Sequence, residues 1–184
     1  MYQRELLLLL FLAAKSLYVP LNRRSSRHYW KMPIDDRIPL IPWFVIPYVG
    51  FIPYIALSIA LVWNTAYIVS FLESLSIAYV MASVFWYFFP NGVKRPDIVE
   101  NKLHHRLLVY IYKTDHDTNG FPSAHVFITL ICAYFLHAAH IPFEVLSWFI
   151  AGSIILSTLF TKQHYVVDIL GGIVVFVVSV AIFL

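Results

Sequence analysis

Cysteine and charged residues are scarce in this chain of 184 residues. The single cysteine, Cys132, lies in an apolar segment, which excludes an internal disulfide and a cysteine metal site. Charged residues make up 12% of the chain and hydrophobic residues 60%, a composition too apolar for a soluble domain. The sequence also lacks a Walker-type loop, an acidic metal-binding cluster and an internal repeat. We therefore predict one integral membrane domain over residues 1–184 that uses no metal and no cofactor.

The few basic residues are grouped in loops, and the formal net charge is only +3. Basic loops of this kind suit the anionic headgroups of a bilayer better than nucleic acid. The predicted partners are accordingly the lipid bilayer and a membrane lipid substrate, with no nucleic acid. The oligomeric state is left open.

Apolar runs dominate the rest of the chain. A membrane-spanning helix needs about 20 residues, and we predict an all-α bundle of six transmembrane helices from the runs 6–19, 38–63, 67–89, 121–139, 141–161 and 165–184. Four prolines in the second run forbid one straight helix. We expect an extended or broken entry to about Pro47 and a kinked span after it. Gly171 and Gly172 in the last run predict close helix packing.

A polar loop at 90–120 separates the third and fourth runs. Within it, residues 103–112 predict a short amphipathic helix at the membrane surface, where His104 and His105 are interfacial residues rather than metal ligands. Because successive spans alternate in direction, this loop, the start of the fourth span and the junction of the last two spans fall on one membrane face.

The segment 119–125 opens the fourth apolar run. Pro122 favours the first turn of a helix, which puts Ser123 at its mouth, where free backbone N–H groups form an anion site. His125, in that first turn, can reach a bound anion. The alternative interpretation is an ordinary helix start with a chance histidine at a membrane surface.

A second polar pair opens the last run. His164 and Asp168 are four residues apart and share one helix face. The carboxylate can accept the imidazole N–H and fix the tautomer, which leaves the other ring nitrogen free to attack. An ordinary ion pair at a helix start is the alternative, but aspartate in an apolar helix is costly and marks a functional candidate.

The predicted face thus collects cations, a helix N-terminus, two histidines and a carboxylate. Lys94, Arg95 and Lys162 can bind a phosphoryl group and neutralise charge during its transfer. One histidine can attack phosphorus while the other protonates the leaving oxygen. We predict phosphoryl chemistry by a metal-free route.

Three motifs carry a family resemblance: Arg95-Pro96, the segment 122–125 (Pro-Ser-Ala-His), and His164 with Asp168. In order and spacing they resemble the type 2 phosphatidic acid phosphatase and haloperoxidase superfamily, and the segments 117–123 and 161–165 look most like the branch related to inositol phosphorylceramide synthases. The resemblance implies a six-helix enzyme in which His164 is the nucleophile, forming a phosphohistidine. By the same resemblance Asp168 orients it, His125 is the general acid, and Arg95, Ser123 and the N–H of Ala124 hold phosphate oxygens.

The sequence departs from the family pattern at two cationic positions. Phe88 stands where the first motif places a lysine, and Thr158 where the third places an arginine. We expect Lys94 and Lys162 to replace those missing cations. The second motif also has Ala124 where the family usually has glycine.

The predicted function is hydrolysis of a lipid phosphomonoester or diphosphate through a phosphohistidine. Transfer of a phospho-headgroup to a lipid hydroxyl is the alternative within the same chemistry, and a non-catalytic lipid-binding or transport bundle is the alternative outside it. Neither hydrolysis nor transfer is favoured by the residues themselves.

The predicted location is the plasma membrane, and its two faces differ in charge. All of the thirteen Lys and Arg residues except Arg4 and Lys15 fall on the candidate catalytic face. The positive-inside rule puts that face in the cytoplasm, whereas the resemblance implies an extracytoplasmic site in many relatives. We leave the side open, with the resemblance favouring the outside.

Overall fold

The computed structural model describes residues 3–183, and in that part of the chain α-helices are the only regular elements longer than a short 3-10 turn. The final residue of the predicted sixth run, Leu184, lies outside the described residues. The helices are α1 (Gln3–Ser16), α2 (Tyr18–Asn22), α3 (Val45–Val49), α4 (Phe51–Val62), α5 (Ile68–Phe88), α6 (Leu103–Thr114), α7 (Ala124–Ala138), α8 (Glu144–Phe160) and α9 (Val166–Ala181).

Within residues 3–183, three helical segments are long and apolar enough to cross a membrane: Gln3–Asn22, Pro42–Val62 and Ile68–Phe88. They coincide with the first three predicted runs. The remaining apolar helices α7, α8 and α9 have only 15, 17 and 16 residues. They are shorter because the ends of each apolar run form turns and caps rather than helix, so six crossings stay a prediction.

The proline-rich second run is broken as expected, but helix begins earlier than predicted. The chain turns helical at the 3-10 segment Pro42–Phe44, continues as α3 and is interrupted at Gly50 before α4. Pro47 and Pro53 are the third residues of α3 and α4. A proline in the first turn removes no intrahelical hydrogen bond, so helix tolerates it there.

The main core lies between the long helices. α5 contacts α1, α7 and α9, and α7 also packs on α4 and α8. Phe71, Leu75, Phe127 and Phe135 are completely buried where these helices meet. α7, which begins at the candidate site, is therefore surrounded on all sides.

Gly171 and Gly172 allow α9 to approach the start of α7 closely, as predicted. A β-carbon on Gly171 would lie 2.3 Å from the Phe121 ring, and one on Gly172 would lie 2.9 Å from the Ser123 carbonyl oxygen. No side chain fits in either gap. The two glycines thus bring Asp168, one turn earlier in α9, against the mouth of α7.

The predicted helix in the polar loop is present as α6. Its buried residues Leu108 and Ile111 form a small second core with Val45 and Tyr48 of α3. Its position at a membrane surface stays a prediction. The loop at 23–41, between α2 and α3, contacts the start of the polar loop, because His28 and Asn91 pair as an isolated bridge.

Candidate active site

His164 and Asp168 face each other as predicted from their spacing. His164 Nδ1 lies 3.3 Å from Asp168 Oδ2, and the two side chains are 8% and 0% exposed. Asp168 therefore engages Nδ1, and Nε2 is the ring nitrogen left for another partner. A buried carboxylate needs several donors to offset its lost hydration, and Tyr165 N–H donates to the same Oδ2 at 2.9 Å.

Asn91 is the second side chain that fixes Asp168. Its Nδ2 donates to Asp168 Oδ1 at 3.4 Å, while its Oδ1 accepts the Phe121 N–H at 2.7 Å. Asn91 is fully buried. One amide thus joins the end of α5, the mouth of α7 and the first turn of α9.

Ser123 is the N-cap of α7 and has extended backbone angles. Its N–H donates to the Asp168 carbonyl oxygen at 3.1 Å, which ties the two helix starts together. Its Oγ is buried and has no hydrogen-bond partner in the described protein. The N–H of Ala124, in the first turn, has no intrahelical acceptor in any α-helix. These two groups form a donor pair suited to an anion.

His125 stands one residue deeper in α7, between two aromatic rings. Tyr48 stacks on it with centroids 4.5 Å apart, and Phe51 lies at 4.3 Å. The His125 and His164 centroids are 5.8 Å apart. Two imidazoles from sequence segments 39 positions apart are therefore close enough to act on one small group.

Arg95 reaches the site's edge but is engaged by the protein itself. Nη1 donates to the carbonyl oxygens of Tyr112 at 3.2 Å and Asp115 at 2.6 Å, and Nη2 donates to His116 O at 3.1 Å and to Gln163 Oε1. Its Nε is buried without a partner in the described residues. The guanidinium thus clamps the loop after α6 against the residue that precedes His164.

Tyr112 stabilises the position of the Arg95 guanidinium. The Arg95 guanidinium carbon lies 5.0 Å from its ring centroid, and its hydroxyl donates to Thr161 O at 2.6 Å. Burial raises the pKa of Tyr112 to about 12, so its hydroxyl keeps its proton and remains a donor at neutral pH.

Lys162 adopts a left-handed backbone conformation, φ 53°, which is unusual for a residue with a β-carbon. Its Nζ donates to the carbonyl oxygens of Asp35, at 3.1 Å, and Ile38. Asp35 in turn accepts the Val166 N–H at 2.9 Å and so caps α9 from 131 positions away. Lys162 therefore holds the loop segment that contains Asp35 and Ile38 beside His164, the candidate nucleophile.

Lys94, Arg95, Lys162 and His164 line one cavity of about 430 Å³. Lys94 is the most exposed of these cations, and its Nζ lies 5.5 Å from the Tyr29 ring centroid. The predicted site residues are thus divided. These four share the polar cavity, Ala124 and His125 line a different one, and Ser123 and Asp168 are buried behind them.

The two positions that depart from the motif pattern lie in different surroundings. Phe88 is 65% exposed, against Tyr87 on the outside of the bundle, so a cation there would point away from the site. Thr158 is fully buried, and its carbonyl oxygen accepts the N–H groups of Gln163 and His164 at 2.9 and 3.1 Å. Thr158 thereby shapes the turn that presents His164.

Three contributors were missed by the sequence reasoning: Asn91, Gln163 and the long-range cap Asp35. Asn91 and Asp35 stand in polar loops, where the sequence indicates no partner for either. The available signal was a polar side chain close to a motif for two of them, Gln163 beside His164 and Asn91 four residues before Arg95. The partners, however, lie far away in sequence and only the fold identifies them.

The comparisons with known proteins come down to one match. A protein-family model described as the PAP2 superfamily matches residues 43–182. The search of curated proteins and the search of solved structures each gave no match. The matched region includes every candidate site residue and leaves α1 and α2 outside it.

Proposed function

The chain belongs to the PAP2 superfamily, and from that premise we propose that it is a membrane enzyme that hydrolyses a lipid phosphomonoester or diphosphate. Membership bears out the resemblance drawn from the three motifs. The branch related to inositol phosphorylceramide synthases is part of the proposal only as its alternative. The observation that carries the proposal is the pair His125 and His164, 5.8 Å apart, with buried Asp168 on the latter.

In the first proposed step His164 Nε2 attacks phosphorus. An N–P bond forms, the bond from phosphorus to the lipid oxygen breaks, and His125 donates a proton to that oxygen. Asp168 stabilises the positive charge that develops on the His164 ring, since a carboxylate at Nδ1 favours the imidazolium.

In the second proposed step water resolves the phosphohistidine. His125, now neutral, accepts a proton from water as its oxygen bonds to phosphorus and the N–P bond breaks. Inorganic phosphate leaves, and both histidines return to their starting states.

The phosphoryl oxygens require donors aimed at their growing charge. Ser123 Oγ and the Ala124 N–H are proposed for this role because the former has no other partner and the latter cannot have an intrahelical one. Lys94, Lys162 and the free Nε of Arg95 supply positive charge from the polar cavity. Full use of Arg95 or Lys162 requires exchange of their present carbonyl partners.

Transfer to a lipid hydroxyl is the second candidate. It is favoured by the volume of the polar cavity, about 430 Å³, and by its lining of both acidic and basic side chains such as Asp36 and Lys94. A cavity of that size holds a polar headgroup as well as a phosphate. An alcohol then takes the place of water in the second step.

The test uses purified protein, a panel of lipid phosphates and diphosphates, and phospholipids with or without an alcohol acceptor. Released phosphate indicates hydrolysis, and a new phosphodiester indicates transfer. His164→Ala abolishes both and forms no acid-labile phosphoprotein from labelled substrate. Substantial turnover by well-folded His164→Ala protein overturns the proposal in favour of a non-catalytic lipid-binding or transport bundle.

The proposal places the enzyme in the plasma membrane with six spans, of which α7, α8 and α9 are the short ones. Because successive spans alternate in direction, this arrangement puts the starts of α7 and α9 on one membrane face. Its three long apolar helices support a membrane location.

A further inference from the structure

We infer that the N-terminal helices α1 and α2, which lie outside the matched family region, form one wall of a groove that binds the lipid chain of the substrate and sets its chain selectivity. The inference rests on the proposed function, because it assumes that the alcohol protonated by His125 carries that chain. It identifies Val19 as a specificity-determining residue.

The groove is a cavity of about 320 Å³, and His125 is one of its lining residues. One wall is α1 and α2, through Lys15, Tyr18 and Val19, and the other is α3 and α4, through Val49 and Ile52. The exposed side chains of Val19, Val49 and Ile52 mark its mouth on the outside of the bundle. The mouth residues are therefore apolar where a membrane lipid would enter, with Lys15 one helical turn before Val19 as a cation beside them.

A hydrogen-bonded cluster holds the N-terminal wall beside His125. Asp115 Oδ1 accepts Tyr18 OH at 2.9 Å and Asn22 Nδ2 at 2.6 Å, while its Oδ2 accepts Tyr48 OH at 3.3 Å. The ring of that same Tyr48 stacks on His125. α2 is thus joined to the wall opposite it and to the general-acid candidate by one carboxylate.

The two histidines line different cavities. His164 lines the cavity rich in cations, and His125 lines the apolar groove. A lipid phosphate bound across the pair places its phosphoryl group toward His164 and its alcohol toward His125. The leaving alcohol then departs along the groove, which is the direction in which a hydrocarbon chain is already accommodated.

The groove selects among lipid chains by their shape rather than by the hydrophobic free energy of burying them. A chain that leaves the bilayer for an apolar groove exchanges one hydrocarbon environment for another, so each methylene gains little hydrophobic free energy. Selectivity must then come from whether the walls leave room for the chain while the phosphate reaches His164. Filling the groove should therefore raise KM for long chains without affecting substrates that have none.

The first arm of the test is Val19→Trp, with Leu12→Trp as its matched control. Val19 and Leu12 are 50% and 49% exposed and lie on the same N-terminal helical segment, but only Val19 lines the groove. We expect Val19→Trp to raise KM for a long-chain lipid phosphate by about tenfold or more, within the range for a reshaped apolar pocket. Turnover of p-nitrophenyl phosphate should be unchanged, and Leu12→Trp should resemble wild type with both.

Unchanged KM for the long-chain substrate in Val19→Trp overturns the inference, as does an equal effect of Leu12→Trp. Loss of both substrates in Val19→Trp is resolved by the second arm, which uses the wild-type protein. A lipid phosphate with a diazirine at mid-chain is photolysed in bilayer nanodiscs, and the adducts are mapped by mass spectrometry.

Adducts on residues 15–19 or 49–52 that unlabelled lipid phosphate competes away support the inference. Adducts only elsewhere overturn it. This binding readout needs no turnover, so mapped and competed adducts in a protein that releases no phosphate and transfers none would contradict the proposed function while leaving the groove assignment standing.

Discussion

His125 and His164 lie on neighbouring helix starts, yet their surroundings differ. His164 contacts a buried carboxylate, whereas His125 contacts two aromatic rings and has no acidic partner in the described residues. A carboxylate partner suits a group that must become positively charged on attack. The absence of a fixed charge beside His125 fits a group that passes a proton to the leaving oxygen.

This difference predicts that His125→Ala is selective for the leaving group. Turnover of a lipid phosphate should fall by about 10²–10⁴-fold, the usual contribution of a general acid. The first step with p-nitrophenyl phosphate should fall by less than about tenfold, because nitrophenolate leaves without a proton. The rate of this first step is measured by stopped-flow detection of released nitrophenolate. His137→Ala, at the other end of α7, is the control. Equal losses with both substrates would contradict the role of His125 as an acid.

Asn91→Asp tests whether Asn91 orients Asp168. It replaces the amide donor 3.4 Å from Asp168 Oδ1 by a carboxylate. Two facing carboxylates share a proton, so the pKa of the introduced group is raised above that of a free aspartate. Its protonated form can still donate, so activity relative to wild type should be best preserved at low pH and should fall as pH rises through that raised pKa.

The size of the loss at neutral pH should be about 10–100-fold in kcat, similar to the loss of an outer partner of a metal ligand. Asn101→Asp, on the exposed part of the same loop, is the matched control and should give a wild-type pH profile. A pH-independent loss in Asn91→Asp would mean that the residue only supports the fold.

At this scale the sequence predicted pairs that are local and missed those that are not. His164 and Asp168 were predictable because a helix brings residues four apart together. Asn91 and Asp168 are separated by 77 positions, and Asp35 and Val166 by 131. No periodicity encodes such contacts. The phosphate-binding roles of Arg95 and Lys162 stay predictions, since their present partners are backbone carbonyls and, for Arg95, also the Gln163 side chain.

Among the helices, the contact of α7 with α9 decides the geometry of the site. Ser123 N–H reaches the Asp168 carbonyl only because Gly171 and Gly172 present no side chains at the crossing. Packing of this kind is a property of two elements together. The glycine pair predicted that another helix approaches α9 closely, but it did not predict that this helix is α7.

Gly172→Ala should therefore separate the two helix starts. The new β-carbon would lie 2.7 Å from Val126 Cβ and 2.9 Å from the Ser123 carbonyl oxygen, so a backbone must shift. We expect a loss of about 1–3 kcal/mol in stability from overpacking and a larger relative loss of kcat/KM. Thermal unfolding in detergent and steady-state kinetics measure the two effects.

Gly152→Ala in α8 is the matched control, because no atom of the described residues lies within 4 Å of its added β-carbon. It should leave kcat/KM unchanged and raise stability slightly, as alanine is the better helix former. Full activity in Gly172→Ala would show that the site tolerates separation of α7 from α9.

For the whole molecule, the six-span prediction and the side of the site can be measured together. Cys132 is completely buried, so single added cysteines report on themselves. Ser25, Ala66 and His140 are exposed in three different connections. Six spans require Ala66 and His140 on one side and Ser25 on the other.

We expect Ser25→Cys to react with an impermeant maleimide in intact cells, and Ala66→Cys and His140→Cys only after permeabilisation. This outcome follows from an extracytoplasmic site. The reverse pattern would put the site in the cytoplasm, as the positive-inside rule predicts. Labelling of Ala66→Cys and His140→Cys from opposite sides would contradict the six-span arrangement itself.

The shortness of α7 has a consequence for how a lipid meets this enzyme. Its 15 residues rise about 22 Å at 1.5 Å each, against a hydrocarbon layer of about 30 Å. On the proposed arrangement, with its other end at the far interface, Ser123 stands several ångströms below the plane of the headgroups. The substrate's phosphate therefore moves below the headgroup plane to reach Ser123. Its hydrocarbon chains stay in the bilayer, which avoids a transfer to water that costs about 0.8 kcal/mol per methylene.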